Sequence, residues 1–222
     1  MEKETLLNHK IYDPSRNTPL TEKSLQFLSL MKKRRTTRAF SEENVPMEII
    51  ENCIRTAGTS PSGANKQPWF FAIVQDSEIK KKIRIAAEKE EHLFYTKRAS
   101  KTWLNDLKPF GTNEHKPYLE KAPYLIPIFY KTHDLNEGKK EKTYYAKESV
   151  GLASGMLITA LHNCGLATLT HTPSPMDFLN EVLDLPKNQF KPFLLLVTGY
   201  PSKNLKLPPI EKKSLHEISK IY

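Results

Sequence analysis

Apolar positions recur along this chain at two different spacings, and the change from one to the other predicts its elements. Spacings of three and four residues, typical of one buried helix face, predict helices at about residues 21–33, 46–57, 77–98, 147–164 and 176–183. Short continuous apolar runs predict strands at residues 70–74, 124–130, 166–170 and 193–197. Helices and strands mix along the whole chain without an internal repeat or a clear domain boundary. We therefore predict one α+β domain.

Turn-forming residues refine the ends of these elements. Thr21 is a candidate N-cap for the first helix, while Gly58 and Gly165 are placed to end two others. Pro127 lies inside the second strand run, where it cannot donate a ladder hydrogen bond. We therefore expect that strand to be at an edge of the sheet or to contain a bulge.

Some segments show no periodicity and are predicted to be irregular. Residues 1–20 are expected to form an extended arm, and residues 131–143 a polar connector. Residues 103–118 form a long irregular insertion, which is typical of a lid or binding loop; a mobile surface loop without a role is the alternative. The basic tail after residue 199 looks extended and needs another surface to lie on, such as a second subunit.

Composition describes an ordinary polar-surfaced protein with an excess of positive charge. The chain has 222 residues, 38% of them hydrophobic, and its net charge of +9 indicates an anionic partner: nucleic acid, a membrane surface or a phosphorylated ligand. Cys53 and Cys164 both lie in helical contexts, so we expect free thiols in a reducing compartment. No secretory signal or apolar run of membrane-spanning length is present. We expect a freely soluble, cytoplasmic protein.

A basic cluster with interspersed hydroxyls follows the first helix. It consists of Arg34, Arg35, Thr36, Thr37 and Arg38. Guanidinium groups offer two-pronged, charge-assisted hydrogen bonds that suit a dianionic phosphate. Taken alone, such a run is more often a solvated turn that binds nothing. Its interpretation therefore depends on the rest of the chain.

Several chemistries have no support in the sequence. The seven histidines are scattered without ligand spacing, so His92, His115 and His171 are predicted to be hydrogen-bonding residues rather than metal ligands. Residues 61–63 lack the glycine pattern of a nucleophile elbow, and neither a phosphate-binding Gly-rich loop nor a dinucleotide fingerprint is present. Nucleic-acid binding rests on charge alone, and we do not expect it.

Residues 59–69 form a loop of small and turn-forming residues, which either joins a helix to a strand or lets a flat or anionic ligand approach closely. This loop, the arginine cluster and residues 165–173 together resemble the flavin-binding motifs of the nitroreductase family. Glu91, Tyr95 and Lys116, which lie between them, resemble the lid of its iodotyrosine deiodinase branch. The resemblance covers about residues 25–217.

The resemblance implies a three-layer α/β/α sandwich with a mostly antiparallel central sheet. It also implies a homodimer that binds FMN in two sites at the subunit interface, with N- and C-terminal arms wrapping the partner. Residues 1–222 would form one FMN-binding domain, with an arm at 1–20, a lid at about 88–118 and a C-terminal arm at 202–222.

Cofactor contacts follow from the resemblance residue by residue. Those implied are Arg34, Arg35, Thr36, Thr37, Arg38, Ser62, Gly63, Thr170, His171, Thr172 and Lys212. Thr172 matches the hydroxyl that hydrogen-bonds flavin N5 and is the catalytic candidate. Lys212 stands where the family has an arginine, which replaces a forked donor with a point charge.

The substrate side of the resemblance is consistent with simple charge chemistry. An amino acid zwitterion needs a carboxylate for its ammonium and a cation for its carboxylate, and Glu91 and Lys116 provide them. Tyr95 adds a hydroxyl and a flat wall, and Ala64 matches a backbone N–H that meets the substrate phenolate.

The implied function is reductive dehalogenation of 3-iodotyrosine and 3,5-diiodotyrosine to tyrosine and halide, with electrons ultimately from NAD(P)H or a reductase. The main alternative on the same fold is a general FMN-dependent nitroreductase or quinone reductase.

Overall fold

The computed structural model describes residues 19–222. The predicted N-terminal arm lies almost entirely outside these residues. The chain divides into two compact units, of which the first ends at Arg34 and the second runs from Arg35 to Tyr222.

The first unit contains one described helix, α1 (Leu20–Lys32). Leu25, Leu28 and Met31 share one face of this helix by their spacing. The prediction that Thr21 caps it is wrong, because Pro19 occupies the N-cap position with φ −55° and no side-chain cap bond is made.

The second unit contains helices and turns of very different lengths. Its α-helices are α2 (Met47–Ala57), α3 (Ser77–Leu93), α4 (Lys101–Leu107), α5 (Tyr118–Lys121), α6 (Ala146–Asn163), α7 (Phe178–Val182) and α8 (Leu215–Ile218). A π-helical turn, Phe94–Arg98, continues α3, so the predicted helix over 77–98 is confirmed in its extent. The predicted irregular stretch at 103–118 is wrong in part, because α4 and a 3₁₀ turn, Lys108–Phe110, cover its first half.

A four-stranded antiparallel sheet forms the centre of this unit. Its strands are β1 (Trp69–Phe71), β2 (Tyr124–Lys131), β5 (Ala167–His171) and β6 (Phe190–Gly199), in the spatial order β1-β2-β6-β5. A separate hairpin pairs β3 (His133–Asn136) with β4 (Lys139–Lys142), where the sequence predicted only a polar connector. Glu137 and Gly138, both at positive φ, form its turn.

Pro127 lies in β2, which is an interior strand between β1 and β6, so the edge-strand alternative is wrong. The bulge alternative is confirmed, since the β2–β6 register shifts between Ile128 and Phe129. Beyond the end of β1, the carbonyl of Pro127 still accepts a hydrogen bond from Ala72 N–H at 3.0 Å.

The two faces of the sheet carry two hydrophobic cores, which makes this second unit a three-layer sandwich as predicted. Alternate residues of β2 point to opposite sides: Leu125 and Phe129 pack with Ile83 and Ala87 of α3. Ile126 and Ile128 pack on the other side in the core that includes α2 and α6. This alternation follows from the two-residue period of a strand covered on both faces.

The segment after Arg34 runs alongside β5. Thr36 forms a parallel bridge with Thr168, and Thr37 N–H donates to the Thr168 carbonyl at 3.1 Å. Further along, Phe40 bridges Pro201, two residues beyond the end of β6. This segment therefore brings the second half of the arginine cluster to the β5 edge of the sheet.

Cys53 and Cys164 are free thiols, as predicted. Their sulfur atoms are nevertheless neighbours, 3.9 Å apart, where α2 packs against the end of α6. Burial raises the pKa of the Cys53 thiol to about 12.

No helix within residues 19–222 is long and apolar enough to cross a membrane.

Candidate active site

Two adjoining cavities open beside the carboxyl end of β5. The first, which we call the arginine cavity, has a volume of about 340 Å³ and is lined by Arg35, Thr36, Arg38, Thr170 and Lys206, together with apolar residues. The second, the lid cavity, has a volume of about 260 Å³. Arg38 and Thr170 line both cavities, so a ligand in one is next to a ligand in the other.

The arginine cavity concentrates hydrogen-bond donors and positive charge. Arg35 is held in place by a hydrogen bond from its guanidinium to the Pro208 carbonyl in the C-terminal segment. That segment also contributes Lys206, which the sequence analysis did not single out. Three cations and two hydroxyls around one cavity suit a phosphate dianion, the ligand predicted for this cluster.

The remaining predicted phosphate contacts are placed differently. Thr37 is buried, with its backbone committed to β5, and does not line either cavity. Lys212 lies in the exposed stretch before α8 and does not line them either. Arg34 belongs to the first unit of the chain.

The lid cavity contains a buried ion pair. Lys116 Nζ lies 3.0 Å from Glu91 Oε2, and the two side chains are only 3% and 12% exposed. Tyr95 lies on the same face of the helix as Glu91, and its ring centroid is 5.5 Å from Lys116 Nζ. The structure thus brings together the three residues predicted for the substrate side.

Further contacts hold Lys116 in this position. Its Nζ donates to Thr112 Oγ1 at 3.3 Å and to the Asn113 carbonyl, while its backbone N–H donates to Glu88 Oε1 at 2.7 Å. Burial lowers the pKa of Lys116, and the Glu91 carboxylate opposes that effect. Arg84 pairs with Glu88 at 2.6 Å. This support was not predicted, although Arg84 and Glu88 have the i,i+4 spacing of a helical ion pair.

Aromatic rings form one wall of the lid cavity. Phe94 contacts Tyr95 edge to face at a centroid distance of 5.3 Å and Trp103 of α4 at 4.9 Å. Such edge-to-face pairs are favourable beyond the area that they bury. The wall offers a flat aromatic surface that the sequence analysis had predicted only from Tyr95.

Polar contacts join the segments around the lid cavity. Arg98 pairs with Glu90 at 2.9 Å and donates to the carbonyl of Ser174, beyond β5. His92 Nδ1 lies 2.6 Å from Glu114 Oε2, which ties α3 to the loop before α5.

The end of β5 presents its residues alternately to two sides. Thr170 and Thr172 are exposed, whereas His171 is buried at 6% exposure. The His171 ring meets Tyr118 edge to face at 6.0 Å, and its Nδ1 lies 3.9 Å from Glu91 Oε1. Burial, together with the Lys116 and Arg38 cations, lowers the pKa of His171 to about 3. The imidazole is therefore neutral at physiological pH.

The loop with Ser62, Gly63 and Ala64 lies elsewhere and does not line either cavity. It precedes β1, at the opposite edge of the sheet from β5, three interstrand spacings or about 14 Å away. A Cβ on Gly63 would approach the Tyr145 ring to 2.9 Å, so close packing requires glycine there. Ala64 adopts a left-handed conformation with φ 49°.

Within the part of the chain that the structure describes, no group of three or more His, Cys, Asp or Glu side chains could hold a metal ion.

Comparisons with known proteins agree with this geometry. A model of the nitroreductase family matches residues 31–200. The iodotyrosine deiodinase of Haliscomenobacter hydrossis is 50% identical over 204 residues, covering 91% of this chain and 91% of that protein. Human iodotyrosine deiodinase 1 is 45% identical over 203 residues, covering 90% of this chain and 69% of that protein.

Solved structures extend the comparison to three dimensions. Oxidized iodotyrosine deiodinase bound to FMN and 3-iodo-L-tyrosine superposes with a TM-score of 0.74 at 31% identity, covering 85% of this chain and 96% of that one. A nitroreductase with bound FMN from Bacteroides fragilis superposes with a TM-score of 0.64 at 18% identity, covering 89% and 99%, and shows the fold alone. The chain therefore belongs to the nitroreductase family, in its iodotyrosine deiodinase branch.

Proposed function

We propose that this protein is an FMN-dependent oxidoreductase that reductively removes iodide from 3-iodotyrosine and 3,5-diiodotyrosine, giving tyrosine and halide. NAD(P)H, directly or through a reductase, is the proposed source of electrons. Two kinds of support carry the proposal: the relatives that are iodotyrosine deiodinases, and the chemistry of the lid cavity.

The observation that carries most weight is the buried Glu91–Lys116 pair. An α-amino acid carries one ammonium and one carboxylate. Its ammonium can take the place of Lys116 beside Glu91, and its carboxylate can take the place of Glu91 beside Lys116. A ligand with only one of these charges would leave a buried charge uncompensated, which is costly. Together with the Tyr95 ring, the pair therefore favours an aromatic amino acid over an aromatic ligand that carries only one of the two charges.

The arginine cavity fits the FMN phosphate. Arg35, Thr36, Arg38 and Lys206 supply the positive charge and donors that a phosphate dianion requires. When bound, FMN would supply the electrons for reduction. We propose that the exposed hydroxyl of Thr172 donates to flavin N5, which orients and tunes the cofactor. Arg34, Thr37, His171 and Lys212 remain proposed cofactor contacts from the resemblance alone.

We propose that a homodimer completes each site. The loop with Ser62, Gly63 and Ala64 precedes β1, about 14 Å across the sheet from the β5 edge. The proposed contacts of this loop with FMN and substrate would therefore come from the partner subunit. The free face of α6, where Leu152 is 55% exposed, offers an apolar surface that a second copy could cover. In this proposal residues 1–222 act as one FMN-binding domain, with arms at 1–20 and 202–222 on the partner and a lid at about 88–118.

The lid residues would exclude water during the reaction. Arg98 joins the lid to Ser174 beyond β5, and the Phe94–Trp103 wall covers the cavity from the other side. Water exclusion strengthens the charge interactions inside the site and keeps the substrate ring against the cofactor.

The decisive experiment begins with the colour and flavin content of the purified protein. The proposal requires a yellow protein that releases FMN on denaturation or takes up added FMN; a colourless protein that binds none would contradict it. Quenching of flavin fluorescence by iodotyrosine then measures substrate binding, and iodide release under dithionite measures turnover. Turnover of nitroarenes or quinones without iodide release would favour the general reductase instead.

A further inference from the structure

His171 differs from its neighbours in the segment that the resemblance assigns to the flavin. The His171 imidazole is buried, whereas Thr170 and Thr172 are exposed, although all three residues line the lid cavity. Its ring contacts Tyr118 and faces Glu91, both of which line the lid cavity. The side chain of His171 is therefore part of the substrate side of the site.

The hydrogen-bonding capacity of this imidazole is unused within residues 19–222. Nε2 is buried without a hydrogen-bond partner, and Nδ1 is 3.9 Å from Glu91 Oε1, which is too long for a hydrogen bond. Glu91 meanwhile uses its other oxygen, Oε2, for Lys116. The Nδ1 atom of the imidazole thus lies beside a carboxylate oxygen of Glu91, about one ångström beyond hydrogen-bonding distance.

The charges around His171 decide which form it takes. Lys116 from the loop before α5 and Arg38 from the segment beside β5 both disfavour an imidazolium, and burial acts in the same direction. Glu91 of α3 and Tyr118 of α5 are the other titratable groups that face it. A neutral imidazole can donate one hydrogen bond to Glu91 without competing for the negative charge that a substrate ammonium needs.

Substrate binding would change the partners of Glu91. In the proposed function Lys116 turns to the substrate carboxylate, so Glu91 loses its contact at 3.0 Å and must be held in place by another group. We propose that His171 is a positioning residue of the amino acid site. Its neutral Nδ1–H donates a hydrogen bond to Glu91 Oε1 and so holds the carboxylate toward the substrate ammonium. This inference rests on the proposed function and assigns the His171 side chain a role in recognising the amino acid group, in addition to the flavin contact that the resemblance implies for this residue.

The test compares three variants of the FMN-loaded enzyme. His171→Leu removes the donor, His171→Asn keeps an amide nitrogen near the position of Nδ1, and His171→Gln moves it toward the position of Nε2. Dissociation constants are measured by quenching of flavin fluorescence with 3-iodotyrosine and with 2-iodo-4-methylphenol, which has the iodinated ring without the amino acid group. Flavin content and thermal unfolding establish that each variant is folded.

We expect iodotyrosine affinity to fall about tenfold or more in His171→Leu and His171→Gln, because each loses a hydrogen bond to a charged group. His171→Asn should largely retain the affinity. Affinity for the iodophenol should stay within twofold throughout. Unchanged iodotyrosine affinity in His171→Leu, or equal loss for both ligands, would overturn the role of His171. If His171→Leu does not fold, equal affinities for the Asn and Gln variants would overturn it instead. Failure of the unaltered enzyme to bind iodotyrosine would contradict the proposed function itself.

Discussion

Glu91→Gln tests the central charge pair with the smallest change in shape. The substitution keeps the length and hydrogen-bonding ability of the side chain but removes its negative charge. Lys116 then remains buried with only neutral acceptors, Thr112 and Asn113, around its ammonium. A substrate ammonium would lose its counter-charge at the same time.

The magnitude follows from the geometry. At 3.0 Å and an effective dielectric constant of about 20, two unit charges attract by about 5–6 kcal/mol, before the cost of removing them from water. After that cost, a hydrogen bond to a charged group contributes about 1.5–3 kcal/mol, or about 10- to 150-fold in affinity. The unpaired Lys116 cation should also lower the free energy of unfolding by about 3–5 kcal/mol.

The assay measures the dissociation constant of iodotyrosine, KM for a nitroarene and thermal unfolding of each variant. Glu78→Gln is the matched control, because it removes the same charge from an exposed position on the same helix. The double variant Glu91→Gln/Lys116→Met should recover much of the stability, since no buried charge is left alone, while iodotyrosine binding stays weak.

Two results would refute this account. If iodotyrosine affinity in Glu91→Gln stays within twofold of the unaltered enzyme, the carboxylate does not bind the ammonium. If affinity for the nitroarene falls equally, the substitution has damaged the whole cavity, and the selectivity for an amino acid has another origin.

Three further predictions concern other parts of the site. Thr172→Ala should lower the rate of iodide release by about tenfold, as for loss of one hydrogen bond, and spare nitroarene reduction; equal loss of both rates would remove its assigned role. Arg98→Met should release the lid from Ser174, and stopped-flow quenching should then show faster dissociation of iodotyrosine with little change in flavin content. An unchanged dissociation rate would count against a latch. The His171 pKa of about 3 lies below the value of 6.5 in an unfolded chain, so the unfolded state binds more protons between these values and stability falls as pH falls through this window. Between pH 7 and pH 5 this costs about 2 kcal/mol, and urea unfolding of His171→Gln should lack that part of the loss; identical pH dependence would contradict it.

The local spacing of apolar residues was sufficient to predict most of the helices and strands. The apolar spacing of residues 147–164 predicted α6 to within a residue at each end, and the apolar run at 193–197 located the centre of β6. The i,i+4 spacing of Glu91 and Tyr95 was enough to place both on one helix face. These predictions succeed because helix and strand periods are properties of neighbouring residues.

Predictions failed where the deciding partner was distant in the sequence. For Pro127 the sequence left an edge strand and a bulge open, and only the position of β2 between β1 and β6 excluded the edge. The β3–β4 hairpin was missed because its strands are polar and give no alternation, although Glu137 and Gly138 could have indicated its turn. Lys206 gave no signal of its own within a generally basic tail.

By itself, the sequence determined most of the element types and singled out Glu91, Tyr95 and Lys116, which line one cavity. Only the tertiary structure decided which residues meet. It placed Lys116 3.0 Å from Glu91, brought Arg38 alongside β5, and buried the His171 imidazole. It also set the Ser62 loop at the far edge of the sheet. The physical reason is that the order of the strands and the direction of their side chains depend on which surfaces pack against one another. That packing is the sum of many contacts between residues distant in the sequence, so local spacing does not predict it.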